Sequence, residues 1–485
     1  MEIPLYKGKY LPAKTIFIIV SIIIGILFPI IFYSFNPKEG ILLFAAILFL
    51  LIAIFSFIDL KFLLLLVLLL SNYIGFFNRV LFVNNLESPI ALESVIYIFA
   101  ALGLFVVLIK SLNSRENYFI LLKNPASAAF LFLLVNLIIQ FFNPNLLNHK
   151  GWVMTLVATS TSFIIFWISI IALRDLKSIK FFIALWWIVA VSGGLYGCLQ
   201  DWIGYSSIDQ KFLQLSDNPF FHAGYDRKFS IYNDPTIFGI FLSASVVFFI
   251  VILIGKVKLL YKLTILISSI IILIAIGYSG TRTAYVMIPG GLLLYFLMTF
   301  NNIRTVIVVV VFSFLLGVIL FGPIYGNATI NRVRTAFIIQ KDDPSFEIRE
   351  KVKHKVQDYI IVNPIGGGMA TSGVLGRLYN PGHYLNNFTV DGGYTKIAVE
   401  VGWIGLLLMM SFYFTLFVYT VNCYFTMKNS VYKLINLAVL CMYFSLLIAT
   451  YAQKSTFSFP VGLFFYSSLG VIVNLKKLDK SGAKK

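Results

Sequence analysis

From Phe62 to Leu70 the chain reads Phe-Leu-Leu-Leu-Leu-Val-Leu-Leu-Leu, nine residues without a polar side chain. Such a run has neither the period-two alternation of a half-buried strand nor the polar stripe of a surface helix. Thr15 to Tyr33, Ile41 to Ile58, Pro125 to Phe142 and Thr305 to Phe321 are also uncharged. Each reaches or approaches the ~20 residues a helix needs to cross ~30 Å of hydrocarbon. Only a helix satisfies its own backbone there without strand partners, and a transmembrane barrel needs polar residues at alternate positions. At 59% hydrophobic and 12% charged residues, the chain is also far from the roughly 45–50% and about 25% of soluble domains. The expectation is an all-α polytopic membrane protein, a single transmembrane domain over 1–485.

The first apolar run is long and lacks a small-residue cleavage pattern, so it reads as a membrane helix and not as a cleavable signal. Cys198, Cys423 and Cys441 lie in apolar spans and form neither a disulfide framework nor a metal spacing. A net charge of +18 would suit nucleic acid in a soluble protein. In a membrane protein it asks instead on which side Lys and Arg fall.

Spans are expected near 15–34, 40–58, 61–78, 91–109, 125–142, 153–173, 181–203, 235–255, 262–278, 283–299, 304–323, 396–424, 433–451 and 458–475. That makes about 14, within a range of 12–14. With Lys7, Lys9 and Lys14 cytoplasmic, Lys110/Arg115/Lys123, Arg174/Lys177/Lys180, Lys256/Lys258/Lys262, Lys428/Lys433 and the tail from Lys476 also fall inside. Both termini are then cytoplasmic. Two outer segments exceed simple connectors: a medium loop at 204–235 and a large one at 322–395. The larger holds an amphipathic helix at 344–362, with Phe346, Ile348, Val352, Val356, Ile360 and Ile361 as its apolar positions and Lys351, Lys353 and Lys355 among the basic ones. Its plainer reading is a basic helix resting on anionic headgroups; its sharper reading is a surface for an anionic substrate.

All four histidines, His149, His222, His354 and His383, map to the outer side. Gly366-Gly-Gly368 after Asn363-Pro364 reads as a tight turn before it reads as a phosphate cradle. Three outer arginines are more informative. Arg282 lies at the bend Tyr278-Ser-Gly-Thr-Arg-Thr-Ala284, Arg227 shortly precedes the span at Pro235, and Arg349 opens the amphipathic helix. Snorkelling or a salt bridge, with Asp226 beside Arg227, is the plain alternative. Guanidinium groups converging at headgroup depth would suit a diphosphate, through bidentate hydrogen bonds that Lys cannot copy.

Four segments in order now carry a resemblance: Arg227 through Asn233-Asp-Pro235-x-x-x-Gly239; Ser279-Gly-Thr-Arg282-Thr-Ala284; Arg349 ahead of Asn363-Pro364-Ile-Gly366-Gly-Gly368; and Asp391-Gly-Gly-Tyr394 leading to Glu400-Val-Gly402-x-x-Gly405. With this spacing the chain resembles the bacterial O-antigen ligase and O-antigen polymerase superfamily of polytopic glycosyltransferases, over about 225–410. The N-terminal half matches only in being apolar.

The resemblance implies a GT-C-like fold in the bacterial inner membrane, with the active site facing the periplasm. It implies transfer of a glycan from an undecaprenyl-diphosphate carrier to an acceptor hydroxyl, with no cofactor or metal. The acceptor is another lipid-linked repeat unit in polymerases and the lipid A core in ligases. Membrane lipids, chain-length regulators and flippases are the implied partners, and nucleic acid is not one. By motif, Arg227 and Arg282 would hold the diphosphate, Arg349 would bind sugar or phosphate, and Tyr394 would join the glycan-binding residues. Where ligases carry a His-Asn pair this chain has Asp391-Gly392, with His383 eight residues earlier. His383 ranks first as the catalytic base, since a pKa near 6.5 suits proton removal at neutral pH, and Asp391 ranks second. The missing His-Asn pair tilts the reading to a repeat-unit polymerase over a ligase. A transporter of lipid-linked sugars or small solutes is the alternative of another class, disfavoured because it would place ionisable groups near the bilayer midplane.

Overall fold

A computed structural model describes residues 50–482 apart from 85–91, 114–121, 217–219, 223–224, 325, 339–343 and 454. The chain divides into two units, Met1–Leu63 and Leu64–Lys485. In the first, residues 50–58 are helical and Asp59 accepts a hydrogen bond from the Lys61 amide at 2.9 Å. The expected span at 15–34 and the first part of that at 40–58 lie outside the described residues.

The helices are α1 Leu60–Val83, α2 Leu92–Asn113, α3 Pro125–Ile139, α4 His149–Ala172, α5 Leu176–Trp202, α6 Ser207–Leu215, α7 Pro235–Ile254, α8 Leu259–Tyr278, α9 Arg282–Thr299, α10 Ile303–Phe321, α11 Ala328–Phe337, α12 Pro344–Val362, α13 Gly373–Tyr379, α14 Gly393–Thr426, α15 Ser430–Ala452 and α16 Val461–Gly482. One two-residue hairpin, Phe221–His222 (β1) paired antiparallel with Tyr225–Asp226 (β2), accompanies them. Each expected span from 61–78 onward coincides with a helix. Ten helices are long and apolar enough to cross a membrane. α9 and α10 fall short of that group: α9 begins on Arg282 and carries Pro289-Gly-Gly291, while the apolar part of α10 is Thr305–Phe321.

Asx side chains set many helix starts. Asn124 caps α3, Asn148 α4, Asp175 α5, Asp234 α7 and Asn429 α15, each accepting from amides of the first turn. Pro125 and Pro235 stand where an amide proton would have no helical partner. α7, α15 and α16 form the centre, with 72%, 72% and 83% of their apolar windows buried, whereas α8 buries 28%. The outward Leu260, Ile267, Val310 and Phe314 of α8 and α10 therefore need an apolar surrounding, and the chain is an integral membrane protein. Buried polar atoms inside the bundle find partners: Trp186 Nε1 donates to Ser245 Oγ at 2.8 Å and the Tyr443 hydroxyl to the Tyr413 carbonyl at 2.7 Å.

The loop 204–235 is built around a residue that the spans conceal. Arg79, buried near the end of α1, pairs through Nε with the fully buried Asp209 of α6 at 3.1 Å and donates to the carbonyls of Tyr232 and Ser230. Asp209 also accepts from the Tyr196 hydroxyl at 2.7 Å and from Gln200 at 3.0 Å. Breaking such a pair strands a buried charge, so Asp209→Ala is expected to destabilise the protein by about 3–5 kcal/mol. An unchanged thermal unfolding midpoint in detergent would contradict that.

Candidate functional site

The first two motif segments are one packed unit. Asp234 caps α7 by accepting from Thr236 and Ile237 amides at 2.6 and 3.0 Å. One turn on, Gly239 lies against the bend after α8: a Cβ there would stand 2.7 Å from Ser279 Oγ and 2.9 Å from Thr281 Cβ. Thr281 Oγ1 donates to the Pro235 carbonyl at 2.9 Å, and Ser243 to that of Ala284. Gly280 takes φ +60 and faces the Tyr225 ring and Arg227 Cγ, so a side chain is excluded there by both conformation and space.

Arg227 spans this unit. Its Nε donates to the Ser279 carbonyl at 3.1 Å, and one Nη to Thr281 Oγ1 at 3.0 Å and Thr236 Oγ1 at 3.3 Å. Burial, then the neighbouring Arg332, push its pKa below the ordinary value, and Asp234 acts against them. Arg282 follows directly as the first residue of α9. Arg227 and Arg282 are thus brought to one bend. Asp226, the salt-bridge neighbour expected for Arg227, pairs with Lys228 at 2.8 Å and accepts from the Tyr205 hydroxyl.

The third and fourth segments also pack on each other. α14 breaks at Gly402, whose φ +76 and ψ −174 are non-helical. The break leaves the carbonyls of Val399 and Glu400 without helical donors, and the amides of Gly367 and Gly368 bond to them at 2.9 Å each. Trp403 N–H in turn donates to the Pro364 carbonyl at 2.8 Å. The triple glycine is therefore a turn seated on a broken helix, with two of its amides bound to protein carbonyls. Asn143 and Asn145, from the connector before α4, donate to the carbonyls of Ile365 and Gly366.

His383 and Asp391 sit differently. His383 is buried, its Nδ1 accepts from the Leu385 amide at 3.1 Å, and its ring also bonds the backbone of Asn145. Both ring edges are engaged within the fold, which suits His383 to fastening the loop and reverses its rank above Asp391. Burial lowers its pKa below 6.5, partly offset by the Asn145 bond and the Glu400 charge. A lowered folded-state pKa makes its stabilisation complete above the unfolded value near 6.5 and lost as pH falls through the folded value. His383→Gln is therefore expected to flatten the unfolding midpoint against pH below about 6.5; an unchanged slope would contradict it.

Asp391 is exposed and borders a cavity of about 280 Å³ between α12, the start of α14 and the end of α15, lined also by Lys353, Thr389, Gly392, Thr395 and Tyr451. Tyr394, the next motif residue, is turned away: its hydroxyl donates to the Leu447 carbonyl at 3.0 Å and anchors α14 to α15. Glu400 accepts from Ser372 Oγ at 2.6 Å. On α12, Val356 and Ile360 pack with Leu385, Val390 and Val399, as expected. Ile361 is 64% exposed, one residue past the stripe. Arg349 belongs to α12, but its side chain lies outside the described residues, as do those of Phe346, Ile348 and His222. α9 and α15 pack closely, with Gly290 against Ile448, so the arginine bend and the cavity lie at the same end of the bundle.

Three features escaped the sequence reading: the Arg79–Asp209 pair, the Asn143/Asn145 brace and Arg332. An arginine inside an apolar span is costly enough to have marked Arg79. The asparagines of Asn143-Pro-Asn-Leu-Leu-Asn148 were an available cue.

With segments two and four packed into one framework from α8 to α14, comparison with known families becomes decisive. Residues 267–410 match the O-antigen ligase family. The matched stretch holds Arg282, the triple glycine, Asp391 and Gly402, and the superfamily resemblance read from the motifs is shown by it. Arg227 and Asp234 precede it but pack against it. No curated protein matches the chain. The match supports glycosyltransferase activity of the O-antigen ligase and polymerase kind, with lipid-linked glycan substrates and a membrane setting.

Proposed function

We propose that the chain is a repeat-unit polymerase, moving a glycan from undecaprenyl diphosphate to a sugar hydroxyl of another lipid-linked repeat unit at the periplasmic face of the inner membrane, without a metal. The carrying observation is the packing of Arg227 and Arg282 on one bend, at the same end of the bundle as the cavity bordered by Asp391. In this reading the acceptor oxygen attacks the anomeric carbon as the bond to the diphosphate oxygen breaks. The electron pair leaves on the diphosphate, whose charge the arginines neutralise. The hydroxyl proton passes to a base, for which Asp391 is proposed ahead of His383.

Fourteen spans with both termini cytoplasmic complete the proposal. Supporting it, Arg174, Lys177, Lys256, Lys428 and Lys476 lie at the helix ends opposite the arginine bend. A ligase is the second reading, favoured by the description of the matching family; Asp391-Gly392 in place of a His-Asn pair favours the polymerase. Deletion of the gene followed by gel analysis of the surface glycan separates them. A polymerase leaves a single repeat on its acceptor and no ladder, whereas a ligase leaves no attached glycan.

A further inference from the structure

We infer that Arg332, on α11, is a third arginine of the diphosphate site, closing around the Ser279-Gly280-Thr281 bend with Arg227 and Arg282. The inference rests on the proposed glycan transfer and adds a ligand residue that none of the motif segments contains. α11 is seated on the bend from the side opposite α7. Asn327 caps it through the Ile330 amide. Thr329 Cγ2 would stand 3.0 Å from a Cβ on Gly277, and the Tyr225 hydroxyl lies between Thr329 Oγ1 and the Gly277 carbonyl, at 3.3 and 3.0 Å. That seating delivers Arg332 Nε to the Gly280 carbonyl at 3.1 Å.

Arg227 and Arg332 therefore grip consecutive carbonyls, Ser279 and Gly280, with Arg282 two residues further on. Like charges held together at a half-buried site repel, and Arg332 is close enough to disfavour the charged form of Arg227. The carboxylate that acts on Arg227 is Asp234, whose Oδ1 is engaged by two helix amides. Three guanidinium groups against one carboxylate leave an excess of positive charge that a dianionic or trianionic ligand would balance. Arg334, two residues on, points elsewhere: it donates to the carbonyls of Ile319 and Gly322 and closes the end of α10. The same short helix thus supplies both a test residue and a control.

The shared chemistry is a phosphate-bearing anion, which a carrier diphosphate or an anionic lipid headgroup could provide. The purified full chain in detergent would be titrated calorimetrically with inorganic diphosphate, with farnesyl diphosphate, and with phosphatidylglycerol as competitor. Arg332→Gln is expected to weaken both diphosphates by about tenfold or more, as loss of a charge-assisted hydrogen bond does, with Arg334→Gln within about twofold of wild type. If Arg332→Gln fails to fold, Arg332→Lys replaces it and is expected to bind measurably more weakly; equal affinity overturns the inference. Binding lost in Arg227→Gln but unchanged in Arg332→Gln overturns the role of Arg332 while leaving the arginine bend as a diphosphate site. No diphosphate binding by wild type overturns both. Displacement by phosphatidylglycerol at equal concentration would make the bend a headgroup site and also overturn the inference.

Discussion

Replacing Arg227 with Gln is expected to reduce glycan transfer by about 10²–10³-fold, the loss typical when one preorganised donor to a developing anion is removed. The guanidinium is aimed by three hydrogen bonds, to Ser279, Thr236 and Thr281, so little reorganisation is needed as the leaving group gains charge. Arg227→Lys should restore only a small part, because an ammonium supplies charge without the planar fork. Kinetics separate the roles. A diphosphate held equally in ground and transition states shows as a raised KM, while stabilisation confined to the leaving group lowers kcat and kcat/KM together. The latter is expected. Full turnover in Arg227→Gln, measured on protein with a wild-type unfolding midpoint, would remove this residue from the mechanism.

Gly402→Ala is the substitution with the largest expected structural effect. A Cβ there would lie 2.0 Å from the Pro364 carbonyl oxygen and 2.5 Å from Ile365 C, both backbone atoms of the opposing turn. The backbone conformation is open essentially to glycine alone and costs another residue about 1–3 kcal/mol. Relief of the overlap must separate α14 from the turn and break the bonds of Gly367, Gly368 and Trp403. A destabilisation beyond about 3 kcal/mol is expected, with loss of the cavity beside Asp391. Gly382→Ala is the comparison: its φ is +90 but nothing lies within 4 Å of the added carbon, so strain alone, about 1–2 kcal/mol, should appear. Unfolding midpoints measured in one detergent check both, and equal losses would mean that the overlap is relieved cheaply.

The membrane-crossing helices were legible because their apolar length is a one-dimensional property, and each expected span among the described residues is a helix. The motif segments were legible for a related reason. Asp234-Pro235 and Gly239 carry local demands, a cap and a close approach, that show as residue types at short spacing. What the sequence hid was long-range. Nothing near Gly366 announces that its amide neighbours bond to carbonyls freed by a helix break at Gly402, or that Asn143 reaches the same turn from 222 residues away. The ranking of His383 followed its pKa type, whereas its role follows from partners at Leu385 and Asn145 that fold around it. Arg332 escaped because it belongs to no motif segment; only the seating of α11 brings it to the bend.

The most direct test of glycan transfer from a diphosphate carrier is product analysis on the purified chain, given undecaprenyl-diphosphate-linked repeat units in detergent with a chelator present. The account predicts one undecaprenyl diphosphate released for every glycosidic bond formed, with both products falling together in Arg227→Gln. Bond formation without release of the carrier diphosphate, or release without a new bond, would contradict it.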